Sequence, residues 1–217
     1  MPNTENADDD GSLRDKLIRK LTGRAPGAVE REQKKSLPER LKWLEKKHKG
    51  DDKAASKAAG LSLTTWRRWR SGKQKPKPDS IAKLDKATRD ALVPKGRRKL
   101  ISNSTGKGHG LSSTAPTGGA SLSAWFTISS DTRPRDINLA AALGPGALDK
   151  MVNAYIEKGE DEAIKEMKIA IAEYLHVDAD DLNIHDVMGI DWETLRYPKD
   201  SGEDRGSGGT DDQGEIF

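Results

Sequence analysis

Between two short stretches of helical periodicity lies Ala55-Ser-Lys-Ala-Ala59-Gly60-Leu61-Ser62, and this junction leaves the chain few ways to fold. Two helices cross closely only where the joining turn is tight and the facing residues are small, which Ala55, Ala59 and Gly60 supply. Leu61, Trp66 and Trp69 follow at the spacing that sends apolar side chains of the second helix into a three-helix core. The reading is a helix-turn-helix over residues 53–72: one helix over Lys53–Ala59, a turn, and a second over Leu63–Ser71, capped by Ser62 and ended by Gly72. Ser36-Leu-Pro-Glu39 has the spacing of a capping box and starts an earlier helix to about Lys49, with Leu37, Leu41 and Leu44 buried and Trp43 on a flank. A fourth helix, Asp79–Leu92, aligns Ile81, Leu84, Thr88 and Leu92.

Charge marks the same region. Residues 34–110 hold 23 Lys and Arg against 7 Asp and Glu, a net of +16, while the rest holds 15 against 28, a net of −13. The overall net of +3 conceals this partition. So dense a basic block is the footprint of a polyanion, because Lys and Arg on phosphates release condensed counterions. A plainly solvated charged face is the alternative. Zero cysteines among 217 residues exclude disulfides and thiolate chemistry. No apolar run of about 20 residues is present to span a bilayer, and the acidic start lacks the order of a signal peptide. The expectation is a cytoplasmic, nucleoid-associated protein without membrane contact.

Along the chain, residues 1–11 read as disordered, and residues 12–35 as a short amphipathic helix and linker. That helix, Ser12–Leu21, places Leu13, Leu17, Ile18 and Leu21 on one side, for docking on its own domain or for a partner or membrane surface. Residues 36–93 form the helix-turn-helix domain. Residues 94–120, with KGRRK and then a Gly/Ser/Thr-rich run, read as a flexible basic linker. Residues 121–196 form a small α+β domain: a strand over Leu122–Ile128, a helix over Pro134–Leu143, helical faces over 148–159 and Glu160–Leu175, and an extended segment over Leu182–Trp192. Residues 197–217 read as a disordered acidic tail. The fold class is mainly α, with the helix-turn-helix domain joined by the linker to the α+β domain.

The second helix of the pair leaves Ser62, Leu63, Thr64, Arg67 and Arg68 facing outward, where a recognition helix meets base edges and Arg pairs with guanine. Arg70, Lys73, Lys75 and Lys77 would hold phosphates. Trp66 and Trp69 suit a core, with base stacking as the alternative. The four histidines show no metal-ligand spacing, Gly106-Lys107-Gly108 is not a P-loop, and Asp178, Asp180 and Asp181 read as a helix-to-strand turn. No metal site and no catalytic machinery is visible.

From about Ser36 to Trp192 the sequence resembles the terminal proteins of linear streptomycete chromosomes and plasmids, the telomere-protecting Tpg-like family. The resemblance rests on the order of parts: the capped helix, AASKAAGLSLTTWRRWRSGK, KPKPDSIAKLDKATR, the basic linker, the WFT strand, then helices and a closing LNIHDVMGIDWE. It implies a protein primer, not an enzyme: a Thr or Ser hydroxyl takes the place of a 3′-OH, attacks the first deoxynucleotide and stays covalently on the 5′ end. Matching Phe126-Thr127 to the family places the acceptor at Thr132, with Thr127, Ser129 and Ser130 as alternatives. A loop Ser-Ser-Asp-Thr-Arg-Pro-Arg-Asp would present it, with Arg133 and Arg135 steadying phosphates. Asp131 or Thr132 before Arg-Pro also suits a helix N-cap.

The resemblance implies no cofactor of the chain's own; Mg²⁺ and dNTP come through the partner polymerase, whose metals activate the hydroxyl without a base from the primer. Implied partners are telomeric DNA, including a folded single-stranded 3′ end, a DNA polymerase and a telomere-associated protein, with a homodimer left open. The competing readings are a helix-turn-helix transcription regulator, and a nucleoid or partition accessory protein.

Overall fold

The computed structural model describes residues 12–25, 30–32, 34–106, 118–141, 143–194 and 196. It is mainly helical, with one small antiparallel sheet. Expectations for residues 1–11 and 197–217 lie outside the described residues. None of the described helices is long and apolar enough to cross a membrane.

In chain order the elements are α1 (Leu13–Thr22), α2 (Leu37–Lys47), α3 (Asp52–Ala58), α4 (Leu63–Arg70), α5 (Pro78–Leu92), α6 (Lys95–Ser102), β1 (Ala120–Ile128), β2 (Asp131–Asn138), a 3-10 turn (Leu139–Ala141), α7 (Asp149–Lys158), α8 (Glu160–Leu175) and β3 (Leu182–Trp192). The helix starts follow local chemistry. Glu39 accepts from the Ser36 amide at 3.0 Å and from its hydroxyl at 2.6 Å, which holds the Glu39 carboxyl below its ordinary pKa. Asp51 accepts from the Lys53 and Ala54 amides to start α3. Ser62 accepts from the Thr65 amide at 3.1 Å to start α4.

Two cores result. The first gathers Leu41, Leu44, Ala55, Ala59, Trp66, Trp69, Leu84 and Ala87 from α2 to α5. Both tryptophans are fully buried in it. The second joins α1, the sheet, α7 and α8, and includes Leu92, Val93 and Ile101. Helix α5 therefore serves both cores, Leu84 and Ala87 in one and Leu92 in the other. Arg89 fixes this join by donating to the carbonyls of Ile156 and Glu157 at 2.9 and 2.7 Å, capping the C-terminal end of α7. Lys86 pairs with Glu157 beside it.

Several expectations are corrected. The segment 94–120 is not a flexible linker over its first half: Lys95–Ser102 is helical, Ile101 is fully buried, and Ser104 is bonded to the Ala120 amide at 2.8 Å. Two of its basic residues are engaged, Arg97 on the Lys20 carbonyl and Arg98 on Asp90. The apolar content is one residue per turn, too little to stand out among the charges, yet it reaches a core already formed by other elements. Gly23, at φ +72°, ends α1 where an added Cβ would meet the Arg97 guanidinium at 3.0 Å. Ile81, expected on the buried face of its helix, is 38% exposed.

The expected helix over Pro134–Leu143 is instead β2 followed by the short 3-10 turn. The sheet order is β2-β1-β3, so β2 is an edge, where a proline forfeits no ladder bond that must be kept. Only Ile137 of β2 is buried, which removes the alternation that marks a strand in a sequence. The reading of Asp131 or Thr132 as a helix N-cap falls with that helix.

Helix α1 docks on β3 and α8, far along the chain, rather than on the domain that follows it. Leu17 and Leu21 are fully buried there, Arg14 holds Glu160 at 2.6 Å and Lys20 holds Asp191 at 2.6 Å. Leu17→Ala should cost about 2–5 kcal/mol. Urea denaturation followed by near-UV dichroism of the sheet tryptophans checks this; a loss below about 0.5 kcal/mol would show that α1 is not integral to the second core.

Candidate functional site: a basic helix face and a hydroxyl-bearing hairpin

Two surfaces carry the residues singled out from the sequence. On the first, α3 and α4 are joined by the turn from Ala59 to Ser62, in which Gly60 takes φ +62°. Burying Trp66 and Trp69 on one side of α4 turns Thr64, Arg67 and Arg68 to solvent, leaves Leu63 half-buried, and places Arg70, Lys73, Lys75 and Lys77 on the exposed continuation. The stacking alternative for the two tryptophans therefore has no accessible ring.

The outward residues are not equivalent. Ser62 is exposed, but its oxygen is taken by the Thr65 amide and lies 2.9 Å from the Thr65 hydroxyl, so it serves the helix start. Arg67 pairs with Asp52 at 3.0 Å, and Arg70 with Glu45 at 2.9 Å. Glu45 also accepts from the Trp66 indole at 2.8 Å, so one carboxylate ties the α4 core residue and a surface cation back to α2. Arg68, Lys73, Lys75 and Lys77 are exposed and make no ion pair among the described residues. Exposed ion pairs contribute about 0–1 kcal/mol, so Arg67 and Arg70 can exchange their carboxylates for phosphates at little cost.

The second surface is the β1–β2 hairpin. Ile128 pairs with Asp131 across a two-residue turn, Ser129-Ser130, and Ser129 takes φ +55°, as the first position of so tight a turn demands. Leu122, Ala124 and Phe126 of β1 face the core, and the alternate residues Trp125 and Thr127 face the open side of the sheet. Thr132 sits directly opposite Thr127 in the ladder. The expected flexible loop around Thr132 is thus a paired edge strand. Thr132 is exposed, as are Ser129 and Ser130 in the turn, while Thr127 is half-buried.

The two threonine hydroxyls lie 2.9 Å apart. The Thr127 hydroxyl is also 3.1 Å from Nε2 of His185 on β3, whose Nδ1 lies 3.3 Å from the Asp186 carboxylate. Sequence reading weighed His185 only as a metal ligand and missed this contact. Its partner is 58 residues away, and the pairing of β1 with β3 brings it there; a bulge follows on β3. Trp125 faces His185 whereas Ser123 faces Gly189, so Ala124 stands opposite Asp186, Val187 and Met188. Asp186 takes φ +45° within this bulge, a strained setting for a non-glycine residue.

Arg133 and Arg135 both reach Asp131, at 2.9 and 3.2 Å. The structure thus brings Asp131, Arg133 and Arg135 together, on the face of β2 opposite to Thr132. Among the described residues no group of three His, Asp or Glu is placed to hold a metal ion. Asp178, Asp180 and Asp181 form the turn before β3, Asp178 accepting from the Asp180 amide at 2.9 Å.

No family model, curated protein or solved structure matches the chain.

Glu45 has one foot in each role, which makes it testable. Glu45→Ala strands the indole N–H of Trp66 and should cost about 1–3 kcal/mol, whereas Arg70→Ala should cost no more than about 1 kcal/mol. Chemical denaturation of the two variants compares them; equal losses would place the weight on the surface pair.

Proposed function

We propose that the chain is a DNA-binding terminal protein that caps and primes the ends of a linear replicon. In this reading α3 and α4 form a helix-turn-helix, with α4 entering the major groove. Arg68 and Thr64 read base edges, and Lys73, Lys75 and Lys77 hold phosphates. Thr132 on the hairpin supplies the priming hydroxyl. The observation that carries the reading is the exposed Thr132 hydroxyl on an ordered edge strand, directly opposite Thr127 in the ladder.

The chemistry asks little of the protein itself. The Thr132 Oγ1–Pα bond forms, the bond from Pα to the β-phosphate oxygen breaks, and pyrophosphate leaves with the electron pair. The hydroxyl proton passes to solvent at the polymerase's metal site. Arg133 and Arg135 share the Asp131 carboxylate on the other face of the same edge strand, which leaves one net positive charge that long side chains can bring around the edge to an incoming triphosphate. The partners in this reading are telomeric DNA, a polymerase and a telomere-associated protein. Cytoplasmic, nucleoid-associated location belongs to the same proposal.

A transcription regulator is the competing reading, and the α3–α4 pair alone suits it equally. It has no use for an exposed Thr132, whereas a primer loses its function with that hydroxyl.

Extract from a host with linear replicons, given labelled dNTPs one at a time, should attach label to the wild-type protein that survives boiling in SDS. Thr132→Ala should abolish it with DNA binding unchanged. Label persisting in the variant would move the acceptor to Thr127, Ser129 or Ser130. An unlabelled wild-type protein, beside a control terminal protein labelled in the same extract, would favour the regulator. On DNA, Arg68→Ala should cost about 1–3 kcal/mol of affinity and relax sequence preference. Lys75→Ala should weaken all sequences alike and lower the salt slope by about one. Titrations at several salt concentrations separate the two effects.

A further inference from the structure

The donors and acceptors on the open face of the sheet can be ordered in one direction. The Asp186 carboxylate only accepts, so its contact at 3.3 Å places the proton of His185 on Nδ1. That tautomer leaves Nε2 as an acceptor, and the Thr127 hydroxyl, 3.1 Å away, donates to it. With its proton committed, Thr127 Oγ1 offers a lone pair to the Thr132 hydroxyl at 2.9 Å. Thr132 is then the donor at the end of the row, its own lone pairs directed away from Thr127 on the exposed edge of the sheet.

We infer that His185, held by Asp186, is a positioning residue that orients the Thr132 hydroxyl through Thr127 for attack on the α-phosphate of a deoxynucleoside triphosphate. The inference rests on the priming reading. It also separates the candidate acceptors. Thr127 is half-buried, with its proton held by His185 and its oxygen engaged by Thr132. Ser129 and Ser130 lie in the turn and make no side-chain hydrogen bond among the described residues. Only Thr132 combines exposure with a fixed direction. An oriented nucleophile needs less ordering when it enters a polymerase site, so orientation acts on the rate at saturating nucleotide rather than on nucleotide affinity. The β1–β3 ladder sets His185 opposite Trp125, on the face that Thr127 shares, and the bulge places Asp186, at φ +45°, beside the imidazole.

The test uses the full-length chain in the labelling reaction with purified polymerase. His185→Leu should lower the rate at saturating dNTP at least tenfold, with the KM for dNTP, DNA affinity and melting temperature close to wild type. His185→Gln, whose amide oxygen can accept from Thr127, should stay within about threefold of wild type. Nitrogen-15 spectra of the imidazole should show the Nδ1–H tautomer, with the Nε2 resonance shifting in Thr127→Val. A wild-type rate in His185→Leu, equal losses in the Leu and Gln variants, or the opposite tautomer would each overturn the inference while leaving priming intact. An unlabelled wild-type protein beside a labelled control would overturn the priming reading and this inference with it.

Discussion

Helix α5 is the constraint on which the rest of the arrangement depends. It contributes Leu84 and Ala87 to one core and Leu92 to the other, and its Arg89 caps α7 from the side. Burial of the guanidinium lowers the pKa of Arg89, yet the group remains charged at any physiological pH and is compensated by two carbonyls. Near this join Tyr155 is buried in the second core, its phenol pushed well above its ordinary pKa by desolvation. Apolar contact and a capped helix end act together here, so the basic helices and the sheet meet through packed side chains.

That join gives the charge partition a physical form. The block of positive charge is spread over α2 to α6, but its members divide into cations already engaged and cations facing water. Arg40 is nearly buried against Asp85, and Arg97 and Arg98 hold backbone and carboxylate oxygens. These residues stabilise the fold. Arg68 and the lysines after α4 face solvent, and it is this smaller group that gives the proposed nucleic-acid surface its direction.

How much of this was legible varied with the kind of signal. The helix Glu160–Leu175 read correctly because it buries residues at a helical period, and the extended segment Leu182–Trp192 is a strand although its bulge breaks the alternation. The caps at Ser36 and Ser62 belong to local chemistry and were visible, while the cap at Asp51 was missed. The β2 strand was not, because an edge with one buried residue keeps no period and Arg-Pro resembles a helix start. Helix α6 was hidden by its charges. For the hairpin site, Thr132 was reached through a resemblance, but its neighbours were beyond reach. The contact between Thr127 and His185 depends on the pairing of strands 58 residues apart, which leaves no mark in a single sequence.

The place of α1 bears on how the molecule assembles. Its ion pair with Asp191 and the bond from Lys16 to the Met188 carbonyl close across 171 and 172 residues, nearly the whole described chain. During synthesis this helix emerges before the other described elements, and its partner strand after them. Its apolar side, Leu13, Leu17, Ile18 and Leu21, stays uncovered through that interval. Closing so long a loop adds entropy only logarithmically in length, so the cost in final stability is modest while the delay is not. The basic helices, whose contacts are mostly local, can settle well before the sheet is complete. A chain released short of β3 would carry a formed basic surface beside an unfinished second core.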